Sequence, residues 1–250
     1  MSNELPFGID VSRYDGLLDW DKLRTHIPKI EFMALRATIS WGYVDPFFVV
    51  NWRMCKQTCI PRMAYHVVYP AESPERQYDN LMRAVKDDWS ENDRMVLDVE
   101  LELGAHDVSR TRYTDCVRRM ADKIAGATGY LPILYSRAEF INRRLDYAYL
   151  DNLDLWLAQY LPGVGKEHPG PPTLPKGASD WLIHQTGDKL PNICATSGKQ
   201  YQDYNRWNGV SMDILRYFGL QNNTPTLEER LLALEFRVSD IERRLNEIQG

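Results

Sequence analysis

The chain has 250 residues, 44% hydrophobic and 26% charged, a balance that supports a sizeable folded core and excludes disorder and fibre formation. With 30 Lys and Arg against 35 Asp and Glu its formal charge is −5, which gives no electrostatic reason to expect nucleic acid as a partner. The longest apolar stretches, such as 47–50 and 153–158, the latter interrupted by Asp154, fall far short of the roughly 20 residues that span a bilayer, so no membrane span is expected.

Short apolar runs alternate with helical patterns along most of the chain. Strands are predicted at 7–11, 32–37, 62–68, 95–100, 131–135, 153–159 and 181–185, with a last strand near 210–214. Helices are predicted between them at 19–26, 46–58, 74–89, 109–128 and 137–145. This alternation is the pattern of a mostly parallel sheet, and it suits a single closed α/β barrel, with an open doubly wound sheet as the alternative. Residues 162–177 are dense in Pro and Gly and read as a long loop, after which the late strands follow one another without proper helices. The cysteines Cys55, Cys59, Cys116 and Cys194 are too sparse for a disulfide framework and read as reduced, buried thiols rather than a zinc site; no metal or cofactor is expected.

The last segment differs in kind. Leu227, Leu231, Leu234, Val238, Ile241, Leu245 and Ile248 alternate steps of four and three, the seam of a coiled coil. Glu228, Glu235 and Glu242 then fall at e positions and Arg230, Arg237 and Arg244 at g, which favours parallel self-association. The runs RLLALE and RVSDIE resemble a trimer-specifying motif, so a parallel trimer is the expectation; the alternative is an amphipathic helix folded back on the barrel. The expected organisation is a barrel over 1–221, a linker at 222–226 and a coiled-coil oligomerisation helix at 227–250.

Acidic residues fall at the C-terminal ends of predicted strands, where barrel enzymes assemble their sites. Asp10 ends the first, in FGIDVS, and Asp98 and Glu100 end the fourth, in MVLDVE. Two residues apart on a strand, Asp98 and Glu100 share a face. Clustered carboxyls of this kind suit glycosidic bond cleavage, which needs one group held protonated as an acid and an anionic group to stabilise developing positive charge. A divalent metal site or a structural salt-bridge network with Arg36 would use the same residues. Aromatic side chains near strand ends, among them Tyr14, Tyr65, Tyr135, Trp156 and Tyr160, are each ordinary core candidates, but together they hint at a groove for sugar rings.

The ordered set GIDVSRYDG, FMALRAT, MAYHVVYP, VLDVE, PILYS, WLAQY, the Gln185 region and QDYNRWNG resembles the Chalaropsis-type lysozymes, glycoside hydrolase family 25, over residues 7–218. The resemblance implies an irregular TIM-like (β/α)5(β)3 barrel. It implies a muramidase that cleaves the β-1,4 bond between N-acetylmuramic acid and N-acetylglucosamine of peptidoglycan by a retaining, substrate-assisted route. Glu100 would be the general acid and then base, Asp98 would orient the acetamido group, and Asp10 and Asp203 would tune Glu100. Tyr65, Tyr135, Trp156, Gln185, Tyr160 and Tyr14 would line the groove. Three departures from the family pattern bear on substrate detail: Ile39, Ser40 and Trp41 follow RAT where an acid is common, Arg13 and Asp15 flank Tyr14, and His184 precedes Gln185.

The opening MSNELPFGIDVS lacks the basic and apolar regions of a secretory signal. The expectation is synthesis in the cytoplasm and action on the bacterial cell wall, as a phage endolysin or virion-associated lysozyme. A non-catalytic, glycan-binding trimeric module of a virion or secretion device is the alternative.

Overall fold

A computed structural model describes residues 5–101 and 108–220. The strands are β1 (Phe7–Val11), β2 (Ile30–Ile39), β3 (Tyr43–Val44), β4 (Arg62–Val67), β5 (Arg94–Asp98), β6 (Ile133–Ser136), β7 (Leu155–Ala158), β8 (Ile183–Pro191) and β9 (Tyr201–Trp207). The helices are α1 (Trp20–Thr25), α2 (Phe48–Gln57), α3 (Pro74–Val85), α4 (Arg110–Thr128), α5 (Ala138–Arg144) and α6 (Ser211–Tyr217). No described helix is long and apolar enough to cross a membrane.

The sheet closes. β1 pairs in parallel with β2 and antiparallel with β9, joining the two ends of the order β1-β9-β8-β7-β6-β5-β4-β2, while β3 is a two-residue strand hairpinned onto β2. Five strand and helix units are followed by three strands with no helix between them, so the barrel is the expected (β/α)5(β)3 form and the open-sheet alternative is excluded. The long connection from β7 to β8 has no helix, as its Pro and Gly content requires; it is pinned by backbone bonds from Gly165 to Lys189 and from His168 to Thr186.

Local chemistry sets most boundaries. Asp19, Ser73 and Ser109 each accept a backbone N–H three residues on and so start α1, α3 and α4, and Gly129, at φ 79°, ends α4 in the left-handed conformation. Alternation on the strands sorts the apolar residues into two clusters, as a closed parallel sheet covered by helices demands. Ile9, Leu35 and Leu97 face outward into the layer shared with the helices. Phe32, Ala34, Met63, Val96, Ile133, Ile183 and Trp207 fill the barrel interior. Gly8 is required there, because a Cβ at this position would lie 2.5 Å from the Phe32 ring.

Three expectations are corrected. Residues 210–214 are not a strand: Asp213 accepts the Val210 N–H at 2.9 Å and starts α6, which seats Ile214 and Phe218 inside the N-terminal end of the barrel. The closing strand is instead β9, whose run YQDYNRW carries polar residues on both faces and so lacks an apolar signature. Cys59 is exposed, because α2 ends before it and the residue takes φ 57°; Cys55, Cys116 and Cys194 are buried as expected. The linker at 222–226 and the coiled coil at 227–250 lie outside the described residues.

Candidate active site

A cavity of about 440 Å³ opens at the C-terminal mouth of the barrel, and all ten residues singled out from the sequence line it: Asp10, Tyr14, Tyr65, Asp98, Glu100, Tyr135, Trp156, Tyr160, Gln185 and Asp203. β5 ends at Asp98, so Glu100 stands two residues beyond the strand rather than on it, yet both carboxyls reach the cavity.

Asp10 on β1 lies directly opposite Asp203 on β9 in the antiparallel register. Like charges in that relation repel, so the pair does not ionise independently. Burial pushes the Asp203 carboxyl up to about 9, and the charge of Asp10 adds to it against Lys199. Burial also raises Asp10, opposed by amide donors from Asn205 and Gln185. Asp98 is raised well above the usual range by burial and by the charges of Glu100 and Asp10, with Arg36 opposing. Its Oδ1 is buried without a hydrogen-bond partner among the described residues. Glu100 is raised by burial, against Arg137, whose guanidinium is 3.9 Å away. The cavity thus holds more carboxyls than it can ionise together, the condition under which one of them serves as a general acid at neutral pH.

The aromatic wall and the acids form one hydrogen-bonded system. Tyr135 donates to Gln185 Oε1 at 2.7 Å, and Tyr160 donates to the same oxygen. That fixes the amide, whose Nε2 donates to Asp10 Oδ2 at 2.7 Å. Asn205 Nδ2 donates to the same carboxylate oxygen at 2.9 Å, while its Oδ1 accepts Trp156 Nε1 at 2.9 Å. The Tyr135 and Trp156 rings meet edge to face at 5.0 Å. Tyr65 is half-buried within the cavity, and Tyr14 stands at the rim, 57% exposed, with the Arg13 guanidinium over its ring.

Arg36 does not organise the acids as a structural salt bridge. Its ion-pair partner is Asp45, at 3.0 Å. Among the family departures, Ile39 lines the cavity, whereas Trp41 is exposed beneath the Arg76 guanidinium at 4.2 Å. His184 is buried, bonded through Nε2 to the Gln159 carbonyl, and burial lowers it to about 4, which keeps it neutral. Asp15 is fully buried and paired with Lys199 at 3.0 Å, and Lys199 also reaches Asp203 at 3.8 Å. Sequence reasoning passed over Asn205, Lys199 and Arg137. For Asn205 the signal was the period-two placement of Asp203, Asn205 and Trp207 on one strand face; Lys199 and Arg137 had no such signal.

An eight-stranded α/β barrel with an acidic, aromatic-walled cavity at the C-terminal mouth is the class that the fold and site define. The model of glycosyl hydrolases family 25 matches residues 9–192, and the chain belongs to that family. The chain is 33% identical over 157 residues to the uncharacterized protein YegX of Escherichia coli K12, a match covering 61% of this chain and 56% of that protein. It thus spans little more than half the length of those curated relatives. It is 26% identical over 225 residues to lysozyme M1 of Streptomyces globisporus, covering 87% of this chain and 71% of the relative. Among solved structures it resembles the bacterial lysozyme of Streptomyces coelicolor, with a TM-score of 0.73 at 24% identity over 89% of this chain and all of that one. At that identity the likeness concerns the fold.

Proposed function

We propose that the chain is a muramidase, hydrolysing the β-1,4 bond between N-acetylmuramic acid and N-acetylglucosamine in peptidoglycan. The observation that carries this reading is the convergence of Asp10, Asp98, Glu100 and Asp203 on one aromatic-walled cavity, in a chain of family 25. Glu100 is the general acid and then the base. It is partly exposed at the mouth, its proton affinity is raised by burial, and it has a cation, Arg137, to steady it after it gives up its proton. Asp98, with one oxygen free of hydrogen bonds among the described residues, orients and polarises the substrate's acetamido group, which attacks the anomeric carbon in a retaining, substrate-assisted route. Asp10 and Asp203, opposite one another on β1 and β9, hold the hydrogen-bond geometry and tune Glu100. Tyr65, Tyr135, Trp156, Tyr160, Gln185 and Tyr14 line the groove.

The domain division into barrel, linker and coiled-coil helix belongs to the same proposal, as does a parallel trimer through 227–250. Leu220, the last described residue, packs on the interior cluster beside α6, at the end opposite the cavity. Analytical ultracentrifugation of the chain with and without the residues after Thr224 tests the trimer, and a monomer in both overturns it. Delivery as a phage endolysin or virion-associated lysozyme rests on the resemblance and this tail.

The activity is tested by digesting purified peptidoglycan and identifying the new reducing ends by mass. Reducing N-acetylmuramic acid is expected. Reducing N-acetylglucosamine, or binding without turnover, overturns the reading.

A further inference from the structure

We infer that Arg36 forms a carboxylate subsite that recognises an acidic group carried by the muramic residue, a specificity element that rests on the muramidase reading above. Arg36 stands on the interior face of β2, two residues beyond Ala34 of the interior cluster, and lines the cavity. Its side chain is only 10% exposed. Nε donates to Asp45 Oδ2 at 3.0 Å, whereas Nη2 is buried without an acceptor among the described residues. A guanidinium presents five N–H donors in a planar fork that matches a carboxylate, and here Asp45 occupies the Nε side alone.

The surroundings fix the group in place while leaving Nη2 without an acceptor among the described residues. Asp45 divides its acceptance between Arg36 and two backbone N–H groups, those of Arg13 at 2.8 Å and Phe47 at 3.1 Å, so it acts as an anchor for the arginine stem. The Tyr14 ring lies 5.4 Å from the guanidinium carbon and limits its swing. β2 and β4 contribute Arg36, Ile39, Tyr65 and Val67 to the lining and no carboxylate, while the acids come from β1, β5 and the turn after it, β8 and β9. This wall is therefore cationic and apolar, flanked directly by β1 with Asp10 and β5 with Asp98. A largely buried cation with unused donors beside open volume is a receptor for an anion.

Within the proposed substrate, muramic acid differs from its neighbour by a lactyl ether, whose carboxyl is either free or extended by a peptide that carries carboxylates of its own. Both sources present the same chemistry, and three substrates separate them: intact peptidoglycan, glycan stripped of peptide by an amidase so that the lactyl carboxylate is free, and stripped glycan with that carboxylate converted to an amide. The wild-type protein should show kcat/KM about tenfold higher on one or both carboxylate-bearing substrates than on the amidated glycan. Arg36→Met should bring that ratio close to one, chiefly through KM. Because Arg36→Met removes a buried partner of Asp45, Arg36→Lys is measured beside it; keeping the charge without the fork, it should retain part of the ratio. Which carboxylate-bearing substrate gives the ratio locates the anion. Turnover with the same ratio in wild type and both variants overturns the subsite and leaves the muramidase reading standing. No turnover on any substrate overturns both.

Discussion

The two ends of this barrel are built from the same strands and treat polar groups in opposite ways. At the N-terminal end the interior is sealed: α6 inserts Ile214 and Phe218, Trp207 packs edge to face on Phe32 at 5.5 Å, and Arg94 donates to the Tyr217 carbonyl with its guanidinium 3.7 Å from the centre of the Tyr130 ring. At the C-terminal mouth the same interior face carries Asp10, Asp98 and Asp203, with proton affinities raised by burial and an Asp98 oxygen left unbonded among the described residues. The difference sets the proposed site apart from the packed core. The packed end is closed by apolar contacts, whereas at the charged end burial raises the carboxyls and Gln185 and Asn205, donating to Asp10, oppose that rise.

Substitutions at the two ends should therefore separate stability from activity. The largest stability effect is expected at the sealed end, where Trp207→Ala should lower unfolding free energy by about 3–5 kcal/mol in denaturant titration, while the pH optimum of the protein that remains folded does not move. At the mouth, Gln185→Leu removes one donor from Asp10 and the acceptor of two tyrosines; kcat should fall about 10- to 100-fold in assays of reducing-end release.

Asp203→Asn tests the electrostatic side of the comparison. A carboxyl raised to about 9 in the folded state binds its proton more tightly than the unfolded chain does, so its contribution to stability falls as pH rises from about 4 to about 9. The variant should show a flatter pH dependence in thermal or chemical unfolding and be on the order of 1 kcal/mol more stable than the wild type at pH 8, with activity reduced. A dependence unchanged by the substitution would mean that Asp203 is ionised in the fold. The smallest effect is expected at the rim, where Tyr14→Ala should raise KM about threefold with kcat unchanged, as its ring is largely exposed.

The packed layers were the more legible part of the sequence. β1 matches its predicted bounds and β4 is one residue shorter than predicted, because buried parallel strands read as continuous apolar runs. The barrel's closure was harder to see. β9 carries Asp203 and Asn205 inward and Gln202 and Arg206 outward, so it has no apolar alternation, while Val210, Met212 and Ile214 imitate a strand until the Asp213 cap turns them into α6. At the site, Asp10, Asp98 and Glu100 were visible because carboxyls at apolar strand ends are expensive, whereas Asp203 came only from the family resemblance. Asn205 and Lys199 were not, since polar residues on an apparently polar segment look like surface until β9 and the turn before it place them beside Asp10 and Asp15.

The central claim is that the carboxyls at the mouth perform hydrolysis rather than hold the fold together. Glu100→Gln tests it most directly, with reducing-end release from purified peptidoglycan and thermal unfolding measured on the same preparation. The account predicts turnover reduced by about a thousandfold or more, with a melting temperature equal to or above that of the wild type. Undiminished turnover, or loss of activity only in proportion to loss of folded protein, would contradict it.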